Sequence, residues 1–310
     1  MSLIEHLNDK SSHVREYIHR CAPRLALAGG RGKEGKEWAS AFGFDDMLGR
    51  DLAVPIPEGV ENRRSHATVA GTAFDYRARM MLGALDPSDT VAASGVDRLA
   101  KYASDVENGE HRVRILGEGF DLAGQLVEGQ AEADLGRASV LLAWCENVYR
   151  AFPQALMGSL GERLDAAGSG ADLLSGVPEQ LLADSEALCL ATVPQVDAWK
   201  KQILAGQDYA PNPGFEGSMW VGGADADWII GNTLIDCKTT EKIGAPFLRE
   251  ALFQLLGYAL LDFEDRLSIR NVAVWLPRRA TLKSWSLDSL IGADAKKAMP
   301  ALRRGLRTSF

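Results

Sequence analysis

The chain has 310 residues, 46% hydrophobic and 25% charged, ordinary values for a globular protein of one large domain or two. Its net charge of −8 gives no global attraction to nucleic acid, and its four cysteines are scattered, without a CxxC pair or metal-ligand spacing. No apolar run approaches a membrane span, and the first residues are too polar for a signal peptide, so a reduced, cytoplasmic protein is expected.

Ser2 to Ala22 is predicted as a helix, because Leu3, Leu7, Val14, Tyr17 and Ile18 recur at roughly helical spacing. Ala28 to Glu37 follows as a Gly/Lys-rich stretch. Gly30 to Lys36 has the GxxxxGK spacing of a phosphate-binding loop, but Glu37 stands where that loop needs Ser or Thr. The stretch is read as a flexible surface loop, and no nucleotide cofactor is expected. Pro55 to Gly59 closes this N-terminal arm with a turn.

Gly71 opens a predicted helix with Phe74, Ala78, Met81 and Leu82 along one side and Asp75, Arg77 and Arg79 elsewhere. A helix bordering an active site and an ordinary amphipathic helix both match this pattern. Pro87 to Gln202 is rich in Ala, Leu and Glu, which predicts several helices, one over Arg137 to Phe152 with Glu146 inside it. Ala167 to Ala171 is read as a loop. There is no GxSxG or HExxH, and His6, His13, His19, His66 and His111 are isolated.

The strand-rich part begins after the turn cluster Tyr209 to Gly214, with Phe215 to Val221 predicted as a first strand. Asp227 to Ile230 and Thr233 to Lys238 then flank Gly231-Asn232, a two-residue loop of the Gly-first kind that suits a type II′ turn. Counting outwards from that turn sets Trp228 against Ile235, Asp227 against Asp236 and Asp225 against Lys238. With period-two alternation, Asp225, Asp227, Asp236 and Lys238 share one face. Two carboxylates opposed at roughly 5 Å repel by about 3 kcal/mol at an effective dielectric of roughly 20. A divalent cation between them reverses that sign, so the face reads as a seat for a hard metal ion with an ammonium alongside.

Pro246 suits the first turn of a helix over Phe247 to Phe263, apolar nearly all round, in which Gln254 and Tyr258 share a face four residues apart. Asn271 to Leu276 is a predicted strand, Arg278 to Ala280 a turn, and Thr281 to Leu287 a second alternating strand. From Arg278 onward eight basic residues stand against two acidic ones. Arg278, Arg279 and Lys283 are therefore expected to bind nucleic-acid phosphates, with a solvated C-terminal helix as the other reading of the tail.

In this order, Gly222-Gly223-Ala224-Asp225-Ala226-Asp227, Asp236-Cys237-Lys238 and Gln254-Leu255-Leu256-Gly257-Tyr258 resemble the motifs of the PD-(D/E)XK nuclease superfamily, specifically its RecB-like branch. The resemblance spans about Phe215 to Leu287. It implies an α/β fold: a restriction-endonuclease-like core, a central mixed sheet flanked by helices, with a large, mostly helical N-terminal or inserted region. The divisions expected are a helical arm and loop over 1–65, a helical region over 66–205, the core over 206–291 and a basic tail over 292–310.

The resemblance further implies a Mg²⁺-dependent deoxyribonuclease, with Mn²⁺ as a substitute, of a kind found in genome defence, phage biology or repair. Asp227 and Asp236 would be its metal ligands, joined by the Cys237 main-chain carbonyl, with Asp225 the alternative to Asp227. Lys238 would activate water and stabilise the transition state, while Gln254 and Tyr258 would hold the site and the scissile strand. The chain departs from the pattern in one place: a helix before the sheet often carries Glu or His, and here Asp75 or Glu146 would have to serve. No cysteine follows Cys237, so no iron–sulfur cluster is expected. Helicase motifs are absent, so any unwinding would need a partner such as an ATPase or helicase. DNA is the expected partner, and no membrane. The rival readings are a non-catalytic binding module that keeps the nuclease fold, and an Asp-Cys-Lys that is merely a solvated strand end.

Overall fold

A computed structural model describes residues 2–83 and 85–310. The chain divides into two compact units, one formed by Met1–Ala53 with Lys201–Phe310 and the other by Val54–Lys200. The expected divisions at 65 and 205 give way to 53 and 200. The N-terminal arm and the basic tail, expected as separate segments, belong to the sheet-bearing unit.

That unit holds a five-stranded mixed sheet: β1 (Tyr209–Pro211), β2 (Trp228–Ile230), β3 (Thr233–Cys237), β4 (Asn271–Leu276) and β5 (Thr281–Ser286), in that spatial order. All neighbours are antiparallel except β3 and β4. A parallel pair needs a crossover, and the Ala245–Leu261 helix supplies it, with Pro246 in its first turn. The β2–β3 hairpin has the register its turn dictates, Trp228 opposite Ile235 and Ile230 opposite Thr233. Gly231 takes a φ of 59°, and Asn232 is not among the positive-φ residues, the dihedral pattern of a type II′ turn.

Sequence reading misplaced several neighbouring segments. The single helix expected over Ser2 to Ala22 is two, Leu3–Asn8 and His13–Cys21. Asp9 Oδ1 accepts from the backbone and hydroxyl of Ser11, and Ser12 then caps the second helix. This local polar bonding competes with helix continuation. The loop expected over Ala28 to Glu37 is half helix, since Lys33–Ala41 is helical, and the Gly29 N–H donates to the Gly35 carbonyl at 3.0 Å. The strand expected over Phe215 to Val221 is instead coil leading into a 3₁₀ turn, Ser218–Val221. Gly217 sits so close to the crossover helix that a Cβ there would lie 2.6 Å from the Leu261 side chain. The edge strand comes from Tyr209–Pro211, expected to be part of a turn.

The helical unit carries Arg63–Leu82, Val91–Lys101, Gly109–Glu128, Leu135–Ala151, Ser159–Ala166, Gly170–Ser175 and the start of Glu179–Leu204. The first begins eight residues before the expected Gly71, where the Asn62 side chain accepts from the Ser65 N–H. The expected loop at Ala167 to Ala171 ends early, because Ser169 caps a short helix. Ile115, Leu116, Leu141, Leu142 and Val148 are fully buried in this unit's core. Each such side chain contributes about 1.5–3 kcal/mol. Gly95 permits the closest helix approach, since a Cβ there would lie 1.8 Å from the Cys145 carbonyl oxygen. Among the described residues no helix is long and apolar enough to cross a membrane.

Candidate active site

The hairpin register places Asp227 opposite Asp236, one step beyond the Trp228–Ile235 pair. On the same sheet face lie Ile229, Leu234, Val272 and Val274, all in the core that the crossover helix shares. The two acids therefore sit at the end of an apolar face, where water is scarce.

Asp236 is 3% exposed. Its Oδ1 accepts from Lys238 Nζ at 2.9 Å, and its Oδ2 is buried with no hydrogen-bond partner. Burial pushes this carboxyl up, to about 6, against the pull of Lys238 and with a further push from Asp227. Burial alone would lower the Lys238 ammonium, but Asp236 and Asp227 outweigh it and hold the group above its ordinary value. Lys238 thus stays cationic.

Asp227 is half-buried, and its Oδ2 accepts from the Cys237 N–H at 2.6 Å. In an extended strand the N–H and C=O of one residue point to the same side. The Cys237 carbonyl therefore faces the side on which Asp227 lies. Asp225 stands further out, exposed and bridged to Gly214.

The crossover helix completes the arrangement. Lys238 Nζ also donates to Gln254 Oε1 at 3.2 Å, and Gln254 Nε2 donates to the Tyr258 hydroxyl oxygen at 2.7 Å. One turn of helix separates Gln254 from Tyr258, which is what lets a single amide link the phenol to the ammonium. Tyr258 is buried, its ring stacked on Phe215 with centroids 5.2 Å apart. Burial first, then Asp236, Asp227 and Asp225, raise its hydroxyl far above the ordinary tyrosine value. Tyr258 therefore anchors Gln254 from inside rather than reaching a strand in solvent. Phe215 was expected only as a strand residue, and nothing in its sequence neighbourhood signals that it supports this phenol.

These residues can be tested for fit to a cation. A buried carboxylate oxygen without a donor costs free energy that a metal ion would recover. Among the described residues no group of three or more His, Cys, Asp or Glu side chains converges. A cation here would have two carboxylates, Asp227 and Asp236, with main-chain oxygen and water completing its shell. That donor set suits Mg²⁺, which keeps several waters and takes one or two carboxylates. The residues fit.

The expected phosphate-binding cations are a correction. Arg278 is fully buried, with its Nε donating to the Thr239 carbonyl. Arg279 donates to the carbonyls of Arg50 and Glu241, and Lys283 pairs with Asp46 at 2.6 Å. Arg278 is thus withdrawn from solvent, whereas Arg279 and Lys283 are paired but half-buried. Asp75 and Glu146, weighed as further site acids, lie in the helical unit with their own partners. Asp75 pairs with Arg79, and Glu146 accepts from Tyr76 and from Arg150.

No family model, curated protein or solved structure matches this chain.

Proposed function

We propose that this chain is a divalent-cation-dependent phosphodiesterase that hydrolyses DNA, built on a restriction-endonuclease-like core. One observation carries the reading. Asp236 keeps a buried oxygen without a hydrogen-bond donor, opposite a second carboxylate and beside a lysine held cationic. A cation between the two carboxylates would close that oxygen and relieve their repulsion.

Asp227 and Asp236 would hold the cation, with the Cys237 carbonyl on the same side. Mg²⁺, or Mn²⁺ in its place, supplies Lewis-acid chemistry at a phosphodiester when bound. Lys238, whose side chain is 26% exposed, reaches the incoming phosphate and stabilises the negative charge that grows on it. Gln254 fixes where that ammonium points, and Tyr258 fixes Gln254. Preorganisation of this kind means that little reorganisation is needed at the moment of reaction.

The test is cleavage of linear, circular and single-stranded DNA with Mg²⁺ or Mn²⁺, comparing the wild type with Asp236→Ala and Lys238→Ala. Cleavage by the wild type alone supports the reading. Equal activity in all three proteins removes the site assignment. DNA binding without cation and without cleavage of any substrate favours a non-catalytic binding module.

A further inference from the structure

A second feature lies at the far end of the crossover helix. A cavity of about 390 Å³ opens there, and five cations line it: Arg270, Lys296, Arg303, Arg304 and Arg307. Arg303 is 3% exposed and forms its base, pairing with Asp265 at 2.9 Å and Asp262 at 3.4 Å and donating to the Ala259 carbonyl. Asp265 also binds Arg270 with both carboxylate oxygens. Arg307 pairs with Glu264 at 3.5 Å and lies over the Phe263 ring. The Lys296 and Arg304 side chains are exposed and have no partner among the described residues. With Asp262, behind Arg303, counted beside the lining Glu264 and Asp265, five cations face three carboxylates, a local surplus of two positive charges in a chain whose net charge is −8.

The rest of the lining is apolar, with the half-buried Phe263 and the exposed Pro300 its accessible members. An inorganic anion alone would leave that surface unused. A phosphate monoester carries a charge of about −1.5 to −2 at neutral pH, which matches the surplus, whereas an internal phosphodiester carries half of it. The volume lies within the range of small-ligand pockets. We propose that this cavity binds the phosphate monoester of a nucleotide, with the base on the apolar lining and the phosphate on Lys296 and Arg304. Arg303, locked by two carboxylates, holds the wall of the cavity in place, and the positive potential comes from Lys296 and Arg304. This assignment does not rest on the hydrolytic reading, and its test contains neither metal nor cleavage.

The experiment is calorimetric titration of the full chain with dAMP at low ionic strength and with chelator present. Saturable binding is expected, with adenosine and inorganic phosphate each weaker by about tenfold or more. The double variant Lys296→Ala/Arg304→Ala should weaken dAMP by about tenfold or more with an unchanged unfolding transition. Lys297→Ala, which alters a neighbouring cation outside the lining, should bind as the wild type does. Competition by a 5′-phosphorylated oligonucleotide, but not by its 5′-hydroxyl counterpart, would assign the site to a strand end. Competition by neither would assign it to a free nucleotide, the same chemistry from another source. No binding of dAMP at millimolar concentration, or equal binding by the double variant, would overturn the proposal.

Discussion

A buried carboxylate of the helical unit, Glu146, and one of the sheet unit, Asp236, are satisfied in different ways. In the helical unit Glu146 takes both the Tyr76 hydroxyl and Arg150, and Asp184 takes His66 at 3.0 Å. Asp165, at the surface, takes Arg112 through two hydrogen bonds of 2.8 and 2.6 Å. These acids are closed by the chain itself. In the sheet unit Asp236 is as deeply buried, yet one of its oxygens is left without a donor. What sets Asp236 apart is the second carboxylate, Asp227, opposite it, whose repulsion a cation between the two would relieve.

That comparison can be broken by substitution. Asp236→Asn should lower cleavage by about 10²-fold or more. Its stability should stay within about 1 kcal/mol of the wild type in denaturant titration, because the substitution removes a buried charge that folding disfavours. A loss of several kcal/mol would instead make Asp236 a structural acid like the others. Arg112→Ala, in the helical unit, should behave in the reverse manner. It leaves cleavage unchanged and costs about 1–3 kcal/mol, since it removes a buried guanidinium that donates to the Leu156 carbonyl, while Asp165 keeps Asn108 and solvent. An Arg112→Ala chain as stable as the wild type would contradict the closed-pair account.

Acid sharpens the same contrast with a smaller effect. Burial, and then Arg15, hold the His19 imidazole down at about 4 against 6.5, and its ring stacks on Phe253 at 3.9 Å. The unfolded chain therefore takes up a proton between pH 6.5 and 4 that the sheet unit refuses. Stability from this residue is full above pH 6.5 and lost as the pH falls towards 4. The hydrogen bonds from Arg112 hold Asp165 down at about 2 against 3.8, so its contribution is full above pH 3.8 and lost only as the pH falls towards 2. The raised Asp236 carboxyl offsets part of this loss, because the folded chain takes up that proton at about 6 and the unfolded chain at 3.8. In hydrogen exchange followed across an acid series, His19→Gln should lower the slope of stability against pH between 6.5 and 4, and an unchanged slope would exclude this cause.

What the sequence made legible follows physical lines. The hairpin and its register were readable because Gly231-Asn232 admits few turn geometries and the side-chain period is two. The crossover helix was readable from its length and its apolar surface. β1 was hidden because it is three residues long and ends in Pro211, Asn212 and Gly214, which advertise a turn. Phe215 to Val221 misled because its apolar residues are split between two roles. Phe215 packs on Tyr258, whereas Met219 is 83% exposed. Arg278 and Arg279 misled for another reason. Charge signals affinity for phosphate only when the side chain is free, and both are bound to carbonyls distant in sequence. The acids Asp227 and Asp236 were named from turn counting, but the buried Asp236 oxygen without a donor is a property of packing alone.

Titration of the chain with Mn²⁺, read by the loss of the free-ion electron paramagnetic resonance signal, tests the central claim most directly. One ion bound per wild-type chain, lost in both Asp227→Asn and Asp236→Asn and kept in Arg112→Ala, is the predicted result. Equal uptake by the wild type and the two Asp→Asn variants, or no uptake by the wild type, would contradict the account.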